Sequence, residues 1–193
     1  MTELAKEKRD KDLPNKLTAF RLACLPLVVF FMSFPGRLSS FFAALFMGMA
    51  FITDILDGFY ARKYGAVTVL GKFLDPLADK ILVTVVMIML IPLSRIPTLV
   101  VIVIIAREMA VTALRSVAIN EGIVIQASRW GKFKTIFQAV TLLGLTLHYS
   151  YFGVDFHAIG MFFLWIALIL TLLSGWLYFR RFYRVFSEKK QEK

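Results

Sequence analysis

Residues 54–79 read DILDGFYARKYGAVTVLGKFLDPLAD and place four aspartates beside a short turn between two apolar segments. Asp54 and Asp57 are three residues apart, which puts them on one face of a helix. Asp75 and Asp79 are four residues apart and share a face in the same way. Carboxylates within membrane-length helices are costly, so this stretch predicts a functional site with a compensating partner.

The negative charge of the four aspartates indicates what this compensating partner is. Four converging carboxylates repel one another or take up protons unless cations lie between them. Hard divalent ions with oxygen ligands meet this need, and Mg²⁺ in particular keeps coordination places open for phosphate. The pattern therefore predicts a divalent-metal site, with Mg²⁺ or Mn²⁺ as the ion.

The composition predicts an all-α integral membrane protein. The chain has 193 residues, of which 59% are hydrophobic and 19% charged, and 19 are Phe. A soluble domain of this size carries fewer apolar and more charged residues. Each bilayer crossing takes about 20 mostly apolar residues, so six crossings use nearly the whole length. The expected spans are about 16–34, 39–64, 71–92, 96–119, 130–149 and 158–183.

We expect one membrane domain over residues 1–193. Residues 1–14 would form a surface segment, either a short interfacial helix or a disordered stretch, and 185–193 a basic tail. Of the formal net charge of +10, most lies at the two termini and in alternate linkers, whereas linker 150–157 has no Lys or Arg. This alternation favours cytoplasmic termini and a cytoplasmic aspartate cluster, and it argues against a nucleic-acid partner.

The turn between the two aspartate pairs is short, so the helix ends that carry them must be neighbours. Two metal ions about 3.5–4 Å apart, bridged by the carboxylates, would hold a diphosphate. Gly58 lets a ligand approach the backbone closely, and Arg62 could bind a phosphate through both arms of its guanidinium. Thr68 and Lys72 add a hydroxyl and a second cation near the same turn.

Two polar residues open the first span on the same membrane side. Asn15 and Thr18 share a helix face and could hydrogen-bond a polar ligand such as a nucleobase. The alternative is that Asn15 caps the helix N-terminus while Thr18 packs, and spacing alone favours this second interpretation.

A basic cluster at the fourth and fifth spans is a candidate site for a second, phosphate-bearing substrate. It comprises Arg107, Arg115, Lys132 and Lys134. The alternative is that these side chains reach lipid headgroups and only determine topology. Arg107 lies deeper and would need Glu108 or a ligand to satisfy its charge.

The aspartate pattern resembles the signature of the CDP-alcohol phosphatidyltransferase family. The matching positions run through 54–79 as D-x-x-D-G-x-x-A-R, eight residues, then G-x-x-x-D-x-x-x-D. Six helices of this total length also agree with the family. The stretches 14–21, 106–108 and 131–138 resemble bacterial members whose acceptor is glycerol 3-phosphate.

The resemblance implies a reaction and a set of roles. A phosphatidyl group would pass from CDP-diacylglycerol to sn-glycerol 3-phosphate, giving phosphatidylglycerophosphate and CMP at the cytoplasmic face of a bacterial plasma membrane. Asp54, Asp57 and Asp75 would hold two metal ions, and Asp79 would both touch a metal and act as general base. The residues implied for the CDP part are Asn15, Thr18, Gly58, Arg62, Thr68 and Lys72. The acyl chains would remain in the lipid and slip between helices, and the enzyme would be a homodimer.

Two alternatives remain at this point. A sibling transferase could use phosphatidylglycerol, as a cardiolipin synthase does, or serine or inositol phosphate, although the basic cluster argues against serine. A divalent-cation transporter could use the four aspartates as an ion path. Against a transporter, the carboxylates lie near one membrane face rather than at the midplane, and the sequence shows no broken helix pair or repeat.

Overall fold

The structure, a computed structural model, describes residues 19–64, 69–121 and 129–191, with side chains described for 19–56, 80–121, 131 and 133–187. Within these residues the chain forms six helices and one small hairpin. The helices are α1 (Ala19–Met32), α2 (Arg37–Tyr64), α3 (Val69–Leu90), α4 (Thr98–Asn120), α5 (Arg129–Leu147) and α6 (Phe156–Gln191). The hairpin strands are β1 (Ser150–Tyr151) and β2 (Val154–Asp155), which pair antiparallel.

Helix α5 lies at the centre of the bundle, where it packs against α6 most extensively and also contacts α2 and α3. The helices bury one face each, as helical spacing requires: in α2, for example, the buried positions Ala43, Met47 and Ala50 recur at intervals of four and three. The core draws on described residues of all six helices, including Val28 of α1 and Leu164 of α6. One contiguous apolar core thus holds the bundle together.

The outer surface of the bundle is also apolar. Large hydrophobic side chains such as Leu99, Ile55 and Trp176 are exposed, which is unusual for a protein surrounded by water. Two helical segments of the described chain are long and apolar enough to cross a membrane, Arg37–Leu56 and Phe156–Ser187. Within the apolar window of each segment, only 28% and 22%, respectively, is buried. A core helix of a soluble protein would be mostly buried. These apolar helices therefore indicate association with a membrane.

The other four helices, as far as they are described, do not combine the length and the apolar character that a membrane crossing needs, and the reasons can be identified. Helix α4 has the length, but it carries three charged residues, Arg107, Glu108 and Arg115. In α1, α3 and α5 the described apolar stretches are shorter. The count of six helices is confirmed, whereas six membrane crossings and the orientation of the termini stay predictions.

Helices α5 and α6 cross closely because a glycine on each helix removes the side chain at the contact. A Cβ atom at Gly144 would lie 2.9 Å from the Cα of Gly160. A Cβ atom at Gly160 would lie 2.7 Å from the backbone nitrogen of Leu145. Small residues at such crossings let two backbones approach and gain van der Waals contact, the usual source of helix association in lipid.

Arg95 ties together the end of the bundle opposite the aspartate pairs. It lies in the α3–α4 connection and is buried, and its guanidinium donates to the carbonyl of Thr146 (2.9 Å) and to the hydroxyl of Ser40 (3.0 Å). It therefore links the C-terminal end of α5 to the first turn of α2. A cation is favourable at that helix end, where unpaired carbonyls point outward.

The linker between α5 and α6 folds back on the same end. Its hairpin turns at Phe152 and Gly153, both with positive φ (53° and 79°), as the twist of a two-residue turn requires. The Nδ1 atoms of His148 and His157 are 3.2 Å apart.

Two features were not predicted from the sequence. Helix α6 continues to Gln191, so most of the expected basic tail at 185–193 is helical. The reason is that Glu, Lys and Gln are good helix formers and no Gly or Pro interrupts them. The hairpin in linker 150–157 was not predicted at all.

The α5–α6 crossing yields a stability prediction. Gly160→Ala should destabilise the protein by about 1–3 kcal/mol, because the added methyl group meets backbone that cannot move away. Gly48→Ala is the matched control: its Cβ would lie 3.7 Å from the Leu143 side chain, an ordinary contact. It should be neutral or stabilise by about 0.5–1 kcal/mol, since Ala is the better helix former. Unfolding in detergent micelles measures both, and equal effects would contradict the close crossing.

Candidate functional site

The two aspartate pairs lie on helices, as their spacing predicts. Asp54 and Asp57 are in the last three turns of α2, and Asp75 and Asp79 are in the first half of α3. Of these four residues, Asp54 has a described side chain. The predicted convergence of the other three carboxylates falls outside the described side chains and stays a prediction.

Asp54 forms an ion pair with Arg21 of α1. The distance from Nη2 of Arg21 to Oδ1 of Asp54 is 2.6 Å. The arginine side chain is 1% exposed, whereas that of Asp54 is 39% exposed. A guanidinium this deep in an apolar bundle requires a carboxylate, since an isolated buried charge costs several kcal/mol. The pair fixes the carboxylate on the α1 side and leaves it accessible.

The donor chemistry at this end fits a divalent cation. Asp54 is an accessible carboxylate with oxygen donors only, and the neighbouring helix segments add three more aspartates in sequence. Oxygen ligands of this type suit Mg²⁺ and Mn²⁺. Among the described side chains, no three His, Cys, Asp or Glu residues gather in one place. The ion site is therefore inferred from the chemistry of the aspartate oxygens.

A second charged group links α4, α5 and α6. Arg107 donates through Nη1 to Oε1 of Glu108 (3.0 Å) and through Nη2 to the hydroxyl of Ser174 (2.8 Å). Lys134 contacts the same Glu108 oxygen. The prediction that Arg107 needs Glu108 or a ligand is thus met by Glu108. Among the described side chains, two cations therefore share the carboxylate of Glu108.

A glycine on α6 makes room for the arginine of this cluster. A Cβ atom at Gly175 would lie 2.9 Å from Nε and 3.1 Å from Cγ of Arg107. The side chain of Arg107 therefore runs across the face of α6 that Gly175 leaves bare. Next to it, Ser174 also donates to the carbonyl of Leu170 at 2.6 Å, which fixes its hydroxyl.

The remaining predicted residues divide by whether their side chains are described. Arg115 is exposed on α4, with its guanidinium 6.0 Å from the ring centre of Tyr178 on α6. It does not join the Glu108 cluster. The other predicted residues lie outside the described side chains or outside the described chain: Asn15, Thr18, Gly58, Arg62, Thr68, Lys72 and Lys132.

Sequence reasoning missed two of these contacts. Arg21 was not predicted as part of the site, although a lone arginine within an apolar span itself signals a carboxylate partner on another helix. Ser174 and Gly175 of α6 gave no signal, because small residues in an apolar helix are common and only the packing assigns them to Arg107.

Comparison with known proteins gives one consistent family. A sequence model of the CDP-alcohol phosphatidyltransferases matches residues 11–173. A Bacillus subtilis protein named CDP-diacylglycerol–glycerol-3-phosphate 3-phosphatidyltransferase is 41% identical, over 88% of this chain and 94% of its own length. A Rickettsia prowazekii protein of the same name is 37% identical over 89% and 95%. A Mycobacterium tuberculosis protein named probable phosphatidylglycerophosphate synthase is 36% identical over 90% and 82%.

The shared carboxylate of Glu108 yields the second prediction. Glu108→Gln should destabilise the protein by about 2–4 kcal/mol, because Arg107 and Lys134 both lose their ion pair with this carboxylate. Combining it with Lys134→Met should cost less than the sum of the two single losses, since the ion pair that each variant breaks is then counted once. Unfolding of the single and double variants in micelles measures the coupling. Strictly additive losses would show that Glu108 and Lys134 do not interact.

Proposed function

Because the chain belongs to the CDP-alcohol phosphatidyltransferase family, we propose that it transfers the phosphatidyl group of CDP-diacylglycerol to sn-glycerol 3-phosphate, releasing CMP. The main support for this proposal is that similar proteins share one name. Proteins named for this reaction match about nine-tenths of the chain at up to 41% identity. The product would be phosphatidylglycerophosphate, an intermediate of phospholipid synthesis.

The proposed setting is a bacterial plasma membrane, crossed six times. Both termini and the aspartate pairs would face the cytoplasm, because Lys and Arg concentrate on that side of the predicted spans. The exposed apolar side chains on the outer surface of the bundle support a lipid environment. A homodimer, which the family resemblance implies, stays a prediction.

Four aspartates would hold the proposed pair of divalent ions, Mg²⁺ or Mn²⁺: Asp54, Asp57, Asp75 and Asp79. When bound, the ions would neutralise charge on the diphosphate and on the departing CMP. The observation that supports this role is the accessible, arginine-anchored carboxylate of Asp54. The CDP part would be bound by six further residues: Asn15, Thr18, Gly58, Arg62, Thr68 and Lys72.

Asp79 is the proposed general base. It would accept the proton of an acceptor hydroxyl while the hydroxyl oxygen attacks the phosphorus that bears diacylglycerol, in line with the departing CMP. The new P–O bond forms as the bond to the CMP oxygen breaks, so CMP carries away the electron pair. Arg21 would hold Asp54 in place throughout, because its guanidinium is buried and cannot turn to solvent.

The acceptor phosphate is proposed to bind the basic cluster of α4 and α5. Arg107 and Lys134 bring two cations to the Glu108 carboxylate, so the cluster concentrates basic side chains that could bind an anion. Arg115 of α4 is exposed, and Lys132 lies two residues before Lys134 in the sequence. A basic site favours glycerol 3-phosphate or another phosphorylated alcohol over serine.

Release of CMP tests the proposed function directly. The purified protein in detergent, supplied with CDP-diacylglycerol, should release CMP when Mg²⁺ or Mn²⁺ and glycerol 3-phosphate are both present. EDTA should stop the release, and serine, inositol phosphate or phosphatidylglycerol should not replace the acceptor. Turnover with a different acceptor would assign a sibling reaction. No turnover with any of them, together with ion uptake into proteoliposomes, would favour a transporter.

Asp79→Asn tests the base. It should lower kcat by a factor of about 100 or more, because general-base catalysis typically contributes about 10²–10⁴-fold, while binding of the CDP-lipid is largely kept. Asp155→Asn is the matched control, since the hydrogen bonds of Oδ1 of Asp155 to described residues come from the backbone nitrogens of His157 (2.9 Å) and Ala158 (3.1 Å), and Asn can accept them too. A near-normal rate in Asp79→Asn would remove Asp79 from the role of base.

A further inference from the structure

A cavity of about 360 Å³ lies at the end of the bundle opposite the aspartate pairs, between the α3–α4 connection and the start of α6. Its volume is in the lower part of the range of about 300–1,000 Å³ typical of ligand pockets. Four polar residues line it: Ser94, Arg95, Thr98 and His157. None of these four belongs to the predicted metal, donor or acceptor sites.

The end of α3 places two of these residues at the cavity. The backbone nitrogen of Ser94 donates to the carbonyl of Ile91 (2.9 Å), and that of Arg95 donates to a carbonyl one residue earlier, on Leu90 (3.1 Å). These two hydrogen bonds form a Schellman motif, in which the helix ends on a residue with left-handed backbone, usually glycine. Ser94 occupies that position with a φ of 55°. A serine in the usual place of glycine keeps a hydroxyl on the cavity wall.

The charge of Arg95 is only partly compensated by the fold. Its side chain is buried, and it donates to two neutral groups, the hydroxyl of Ser40 and the carbonyl of Thr146. The carbonyl belongs to the C-terminal end of α5, which offers roughly half an elementary charge. Among the described residues, no carboxylate forms an ion pair with Arg95. A buried guanidinium with neutral partners favours an anion beside it.

This end of the bundle has more basic than acidic residues. Its three connections, each taken with the first residue of the helix that follows, contain Arg37 and Arg95 but one acid, Asp155. Oδ1 of Asp155 accepts from backbone nitrogens at the start of α6. Arg37 donates to the carbonyl of Ser150, which is again a neutral group. The cavity is therefore surrounded by a surface that attracts anions.

His157 and the start of α4 add hydrogen-bond donors. Nδ1 of His157 lies 3.2 Å from Nδ1 of His148, so Nε2 is the ring nitrogen left for a ligand. Helix α4 begins after Pro97 without a side-chain cap, so N–H groups of its first turn are available to an anion. Hydroxyl, imidazole and backbone donors around one guanidinium are the groups that bind phosphate oxygens.

We propose that this cavity binds a phosphate group, with Arg95 as its counter-charge and the hydroxyls of Ser94 and Thr98 as donors. The phosphate can belong to the headgroup of an anionic phospholipid or be free in solution. Tyr149, whose ring centre lies 5.7 Å from the guanidinium carbon of Arg95, suits a lipid source, because tyrosines are enriched at the depth of lipid headgroups. A divalent cation is a poorer occupant, since Arg95 would repel it. The proposal does not depend on the proposed function.

A change of charge at Thr98 tests the site. The full-length protein in a neutral detergent is melted at increasing concentrations of inorganic phosphate or of dihexanoylphosphatidic acid, and the rise in melting temperature gives an apparent affinity. Thr98→Asp should weaken binding about tenfold or more, because its carboxylate repels the phosphate and competes for Arg95. Thr98→Asn, the matched control of nearly the same shape, should change the affinity less than about twofold. Equal affinities of the two variants would overturn the proposal.

Ser94→Gly separates binding from stability. Glycine adopts the left-handed backbone without strain, so the melting temperature without ligand should stay unchanged or rise. Loss of the hydroxyl should nevertheless weaken phosphate binding about fivefold, the equivalent of one hydrogen bond. A merely structural role of Ser94 predicts the reverse, a change in melting temperature with unchanged affinity, and that result would contradict the proposed donor.

The two probes identify the source of the phosphate. If Thr98→Asp weakens the binding of both, a free phosphate is sufficient for the site. If it weakens only the binding of dihexanoylphosphatidic acid, the ligand is a lipid headgroup, and either result supports the cavity. Dihexanoylglycerol, which lacks the phosphate, should not stabilise the protein. Equal stabilisation by dihexanoylglycerol and dihexanoylphosphatidic acid, or no stabilisation by either phosphate probe, would overturn the proposal and leave the test by CMP release unaffected.

Discussion

The structure depends on the pairing of charges inside an apolar bundle. A charge buried without a partner costs several kcal/mol, a large share of the stability of a protein this size. The bundle meets this constraint in two ways. Arg21 and Glu108 bind side chains of opposite charge. Arg95 binds neutral acceptors, a hydroxyl and a helix-terminal carbonyl.

These pairings also decide which helices are held tightly. The Arg21–Asp54 pair links α1 to α2, and the group around Glu108 links α4 to α5 and α6. Towards the other end, α5 and α6 are joined by close backbone contact at Gly144 and Gly160. Between α3 and α4 the described contact is sparse, and Lys80 reaches Thr112 across it.

The sequence predicted the helices better than their contacts. Six helices and the helical placement of both aspartate pairs follow from apolar length and spacing, which are local properties. The partner of Arg21 does not, because the rotation of α1 against α2 is set by core packing around residues such as Val28 and Met47. The turn at Phe152 and Gly153 offered only its glycine as a signal. In the candidate site, the residue types were predictable, whereas the sharing of Glu108 by two cations required the fold.

Charge balance gives the strongest physical reason to expect metal ions at the aspartate end. Among the described side chains, the cations on the neighbouring helices have partners of their own: Arg21 binds Asp54, and Arg107 and Lys134 bind Glu108. Two divalent ions together with Arg21 would bring five positive charges to the four aspartates. The diphosphate of a CDP-lipid would then add negative charge, which Arg62 and Lys72 are placed in the sequence to balance. A small excess of positive charge before the substrate binds suits phosphoryl transfer, because its transition state spreads negative charge over the oxygens of the transferred group.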